Sequence, residues 1–118
     1  MRLTLIATLA TLTATPALSA DWNIRPWDTR LSPAQITARI HGKSITFPDG
    51  ATATYAATGA YSYTYQGGNR FEGTWEMAED GAICTTFSSG HDRCDLYVLQ
   101  GDTLMLINES GGRFLTAN

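Results

Sequence analysis

The chain has 118 residues, of which 43% are hydrophobic and 16% charged, and eight basic side chains stand against eleven acidic ones for a formal charge of −3. A charged fraction this far below the ~25% usual for soluble domains, with an acidic balance, excludes a basic nucleic-acid binder and a disordered charged tail. The length suits one domain whose core lies near the lower end of what folds alone without a staple.

Residues 1–20 have the layout of a secretory signal peptide. Met1 and Arg2 give a positive start, an apolar run interrupted only by threonine extends from Leu3 to Leu12, and Pro16 ends it. Ala17-Leu18-Ser19-Ala20 then offers small residues for cleavage. The run is too short to cross a membrane, which takes ~20 apolar residues. Asp21 stands where a lipid-bearing cysteine would be required. The expected product is periplasmic or secreted, without a membrane anchor. It keeps seven basic and eleven acidic groups, because the leader removes only Arg2, so nucleic acid is not an expected partner.

Residues 21–30 form an N-terminal arm, Asp-Trp-Asn-Ile-Arg-Pro-Trp and onward, that is too apolar for an idle tail. Trp22 and Trp27 are expected either to cap the open end of the fold or to enter a partner. The main domain, 31–118, opens with a strongly signed helix. Ser32 is placed as N-cap, Pro33 at the first turn and Gln35 to complete a capping box, with Leu31 and Ile36 as a hydrophobic staple. Ile36 and Ile40 line one face, and Gly42 stops the helix after about nine residues. His41, beside Arg39 and Lys43, sits where positive or polar groups meet the negative end of the helix dipole.

Glycines punctuate the remainder at intervals of about ten residues, several of them in Asp-Gly, Gly-Gly or Ser-Gly pairs. Short runs rich in Thr, Tyr, Phe, Ile and Val lie between them, which predicts strands over 43–48, 51–57, 60–66, 70–77, 82–88, 93–100, 103–108 and 113–117. The expected fold is therefore mainly β: a small up-and-down antiparallel barrel or half-barrel of about eight strands, preceded by one short α-helix. An open sheet packed on the helix is the alternative. Gly73, on the apolar face of its strand with Phe71, Trp75 and Met77, marks a bend or bulge where a side chain would collide with a neighbour.

The two cysteines, Cys84 and Cys94, lie in the exported part and are expected to form a disulfide. Two sulfurs and the nearby His91 do not complete a closed zinc shell, so no metal is expected there. If the cysteines pair directly, Leu96 and Val98 share their face while Ile83 and Phe87 take the other, so neither side is cleanly core unless a bulge near Gly90 intervenes.

His91, Asp92, Arg93 and Asp95 form the densest polar cluster. As chemistry it would use His91 as a base oriented by Asp92 or Asp95, but its place at a hairpin tip favours a solvated turn or a recognition loop. Tyr61, Tyr63 and Tyr65 make a stripe beside the strand of Trp75. The stripe is core packing or a stacking platform for a sugar or aromatic ligand. The residues expected to contact a ligand or partner are thus Trp22, Trp27, Tyr61, Tyr63, Tyr65, Trp75, His91 and Arg93. No catalytic set is expected: there is no nucleophile elbow, phosphate loop, dinucleotide fingerprint or calcium loop, and so no cofactor.

Gly42-Lys43, the Asp-Gly turn at 49–50, Tyr61-x-Tyr63, Glu72-Gly73-Thr74-Trp75, Asp80-Gly81-x-x-Cys84 and Arg93-Cys94-x-x-Tyr97 together resemble a group of small exported bacterial domains of unknown function, β-rich and lipocalin-like. The resemblance covers about 31–114 and implies fold and compartment without a catalytic residue. The chain is also similar in kind to small periplasmic β-barrel inhibitors of metallopeptidases. Those share a Gly-x-Trp strand, here Gly73 and Trp75, one disulfide, and an arm that enters the protease cleft. Three functions are then expected in turn: a non-catalytic exported binding module for a protein partner or small ligand, a protease inhibitor acting through the arm, or a passive cell-envelope structural protein.

Overall fold

The computed structural model of the chain describes residues 21–117; the signal peptide expected over 1–20 lies outside them. Strand β1 (Asp28–Arg30) and helix α1 (Pro33–Ile40) precede an antiparallel meander of β2 (Lys43–Thr46), β3 (Thr52–Tyr55), β4 (Ala60–Thr64), β5 (Arg70–Met77), β6 (Ile83–Phe87), β7 (Asp92–Gln100), β8 (Thr103–Asn108) and β9 (Arg113–Leu115). From β2 to β9 each strand pairs with its neighbour in sequence, and β1 pairs with β7 off this path. The eight strands of the meander curl into a half-barrel. Its two edges are drawn together where the Ala117 N–H donates to the Thr46 carbonyl at 2.8 Å.

Six of the turns are built alike. In the segments 47–51, 56–60, 65–69, 78–82, 87–91 and 108–112 the first residue donates its N–H to the last carbonyl, and a glycine in fourth place donates back to the first. That glycine has positive φ in every case, from +88° to +93°, the conformation that ends a three-residue hairpin loop after a type I turn. The turns therefore take the residues flanking them, and most strands end one or two residues short of the predicted bounds.

Helix α1 forms where its start signals placed it. Ser32 Oγ accepts from the Gln35 N–H at 3.2 Å, and Gln35 Oε1 accepts from the Ser32 N–H at 2.8 Å. Its C-terminal end is held by Lys43, whose Nζ donates to the Ala38 carbonyl at 2.8 Å, whereas His41 turns its ring edge to Trp75 at 5.9 Å. Ile36 and Ile40 are fully buried. Ile36 Cδ1 lies against Gly81 in the β5–β6 turn, and Thr37 Oγ1 reaches Met77 Sδ. The helix thus plugs one end of the half-barrel.

Register and alternation put Tyr55, Tyr61, Gly73, Trp75, Ile83, Asp95, Tyr97 and Leu106 on the inner face. Tyr55 and Tyr97 are buried at its centre and satisfy each other through a 2.7 Å bond between their hydroxyls. Burial raises both phenols above the ordinary tyrosine range. Gly73 sits between Tyr61 and Phe87 in register, and their rings meet edge to face at 5.8 Å. The expected collision is explicit: a Cβ on Gly73 would lie 2.1 Å from the Thr86 carbonyl oxygen.

Cys84 and Cys94 are bonded, and they pair directly in the β6–β7 ladder, whose register runs unbroken up to the loop closed by Gly90. Leu96 and Val98 on the cysteine face are buried as completely as Tyr97 on the other. Both faces of β7 are core because the arm crosses the outside. Trp22 and Ile24 pack against the core cluster, Trp22 Nε1 reaches Asp80, and Asn23 Nδ2 donates to the Gly111 carbonyl at 2.9 Å. Arg113 clamps the arm further, donating to the Asn23 carbonyl at 2.6 Å and through both Nη groups to the Asp28 carboxylate at 2.7 Å.

The disulfide closes a loop of about eleven residues, for which the chain-entropy relation gives about 2.5–3 kcal/mol. Reduction is expected to lower stability by that amount. Urea midpoints that coincide with and without reductant would contradict it.

Candidate functional site: the open mouth of the half-barrel

The end opposite the helix is open. Four of the three-residue turns surround it, and a cavity of about 470 Å³ lies among them. One wall is apolar and aromatic, from Phe47, Tyr63, Leu106 and Phe114; Asp49, Arg93, Asn108 and Arg113 supply polar groups. The four side chains of the apolar wall come from four different segments of the chain, so only the curl brings them together. Phe47 and Tyr63 are tilted against each other with ring centroids 6.3 Å apart.

Arg93 forms the floor, and Asp95 lies buried behind it. Both point inward from β7, two residues apart, and Arg93 Nε donates to Asp95 Oδ2 at 2.9 Å. Asp95 is only 3% exposed, and its Oδ1 has no hydrogen-bond partner among the described residues. Burial raises the Asp95 carboxyl above its usual range, against the lowering effect of the Arg93 guanidinium. For Arg93 burial works against the charge, but Asp95 beside it overrides that and holds its pKa up. The sequence reading of this cluster as a solvated turn is corrected here. β7 already begins at Asp92, so strand alternation sends Arg93 and Asp95 inward while Asp92 stays exposed. The catalytic pairing considered for His91 is not formed with Asp95, which is taken by Arg93; His91 stacks on Phe87 at 6.2 Å.

The tyrosine stripe grades from core to surface. Tyr61 is buried, Tyr63 lines the cavity, and Tyr65 is 50% exposed on the lip. Tyr65 stands edge to face with Tyr63 at 5.0 Å and with Phe71, 52% exposed, at 5.8 Å, so the aromatic wall continues along the same face to the exposed lip. Trp75 is remote from the mouth: it lies toward the plugged end, its Nε1 donating to the Ala56 carbonyl at 2.9 Å. Neither tryptophan of the arm caps the mouth. Trp22 packs on the outer face, and Trp27 is 59% exposed with the Arg25 guanidinium over its ring at 5.8 Å. The reason is Arg113, which ties the arm to the outside of the sheet. Cys84 and Cys94 also lie on the outer face.

Of the anticipated contact residues the fold therefore gathers Tyr63 and Arg93 at the cavity, with Tyr61 below, and Tyr65 and His91 on the rim. Phe47, Asp49, Asn108 and Phe114 were not anticipated. Their signal was positional: each lies within or beside a glycine turn on the same side of the meander.

These features define a small β half-barrel, plugged by a helix at one end and open to an aromatic and polar cavity at the other. No protein-family model matches the chain, and no curated protein matches it in sequence. Among the described residues no group of three or more His, Cys, Asp or Glu is arranged to hold a metal ion, and no helix is long and apolar enough to cross a membrane.

Proposed function

We propose that this protein is a non-catalytic binding module, periplasmic or secreted, that takes a small ligand into the open mouth of its half-barrel. The observation that carries the reading is the cavity of about 470 Å³, within the size range of small-molecule sites, lined by aromatic rings with a few convergent polar groups. The Cys84–Cys94 disulfide supports a place outside the reducing cytoplasm, and the leader-like residues 1–20 support export. The resemblance to small exported lipocalin-like domains in the motifs quoted above is in keeping with this reading.

Action through the arm, as in a protease inhibitor, has less support, because residues 21–30 spend their hydrogen bonds and apolar side chains on their own barrel. Trp27 is the exception, exposed and free to meet a partner.

Leu106→Trp tests the main reading by growing a ring from the inner face of β8 into the cavity. Small molecules that raise the melting temperature of the wild type are expected to lose that effect in the variant, with the unliganded fold retained by circular dichroism. Shifts of the same size in both proteins would place the binding elsewhere.

A further inference from the structure

The polar groups at and just beneath the mouth leave both donors and acceptors unspent. Arg93 uses Nε on Asp95, and its two Nη groups carry no hydrogen bond among the described residues. Asn108 Oδ1 accepts from the Gly112 N–H at 2.7 Å, which leaves Nδ2 as a donor. On the accepting side, Asp49 Oδ1 caps the Ala51 N–H at 2.9 Å and leaves Oδ2 over, and behind the lining, next to Arg93, the buried Asp95 Oδ1 has no hydrogen-bond partner among the described residues. A buried oxygen of this kind is costly unless something from outside supplies a proton donor.

The formal charges are also nearly balanced. Asp95 answers Arg93, Asp28 answers Arg113, and Asp49 alone remains. A simple anion would satisfy the Arg93 fork but face Asp49, with the Asp95 carboxylate behind Arg93. A simple cation would do the reverse. Hydroxyl groups both donate and accept, so a neutral polyhydroxylated ring can answer both kinds of group at once. Its C–H face would lie against the wall of Tyr63, Phe47 and Phe114, the last 48% exposed. The continuation of that wall through Tyr65 and Phe71 gives a second ring a surface to rest on.

From this juxtaposition of unspent donors, unspent acceptors and aromatic faces, we infer that the mouth binds a neutral saccharide of one or two rings. The inference rests on the reading of the mouth as a small-ligand site and adds the chemical class of the ligand.

The test is calorimetric titration of the disulfide-bonded protein with maltose, cellobiose and N,N′-diacetylchitobiose, beside octanoate and octyltrimethylammonium as charged amphiphiles. At least one disaccharide is expected to bind, and Tyr63→Ala and Arg93→Lys are each expected to weaken it about ten-fold. Arg93→Lys keeps a cation beside Asp95 and removes the fork, so it tests the site even where Tyr63→Ala unfolds. Disaccharide binding that survives both variants unchanged would overturn the inference. Binding of an amphiphile with no disaccharide would overturn the saccharide assignment and leave the small-ligand reading standing. Heat from none of the five probes would overturn the saccharide assignment, and if Leu106→Trp also removed no ligand-induced shift, the small-ligand reading would fall with it.

Discussion

Gly73→Ala is expected to cost about 3 kcal/mol or more, a large share of the total stability of a domain this size. The added methyl would stand 2.1 Å from the Thr86 carbonyl oxygen and 2.9 Å from the Phe87 Cα. Both are backbone atoms, so no rotamer change relieves the clash; β5 and β6 must part. Parting them would also pull apart the Tyr61 and Phe87 rings that close over the glycine, and overpacking of this kind is among the more damaging core changes. Gly67→Ala is the matched control, since a Cβ there meets nothing within 4 Å, and it should fall within about 0.5 kcal/mol of wild type. Guanidinium midpoints of the two variants decide the matter, and equal midpoints would sink the argument.

Deleting residues 21–30 is expected to have the other large effect, and its sign separates two functions. An arm held ready for a partner's cleft could be removed with little change in melting temperature. The observed arm covers the outward side chains Leu96, Val98, Met105 and Ile107, all buried, and supplies strand β1 to β7. Its loss should leave the domain largely unfolded at 37 °C. The narrower variant Asp28→Ala removes one side of a bidentate ion pair at the edge of the fold, Arg113 with 14% and Asp28 with 0% side-chain exposure, at a cost of about 1–2 kcal/mol. The hydrogen bond from Arg113 lowers the Asp28 pKa, ahead of the opposing effect of burial. A lowered folded value means that the pair stabilises above the unfolded pKa of about 3.9 and that this is lost as pH falls through the folded one. The gap between wild type and Asp28→Ala should therefore be constant near neutrality and close below about pH 4. A gap of equal size at pH 7 and pH 3 would assign the effect to something other than the charge.

What the sequence made legible was local. Ser32, Pro33 and Gln35 lie within four residues of one another, and the helix they announce is the one that forms. The strands were visible because each turn carries its own glycine. Strand β1 was not, because three residues with no periodicity of their own owe their conformation to β7, about seventy positions away. The apolar character of both faces around Cys94 looked contradictory for the same reason: alternation describes one sheet, and the second layer here is the arm. At the mouth, Tyr63 and Arg93 could be singled out from composition and spacing. Asp95 was hidden inside a polar tetrad that resembled a loop, and Phe47 and Phe114 became neighbours of Tyr63 only through the curl that brings the Ala117 tail to Thr46.

The uniform turns also decide how the mouth can work. Its rim is made of four loops of three residues each, every one closed by two backbone hydrogen bonds. A loop that short cannot fold over a cavity, so none of these four turns is a lid of the kind that gates enzyme active sites on the microsecond to millisecond scale. A ligand taken up there as proposed would stay in contact with bulk water and would not wait on these turns to leave. Residence on the proposed site would then be set by the stacking and hydrogen bonds themselves, giving rapid exchange with the surroundings rather than storage of a cargo.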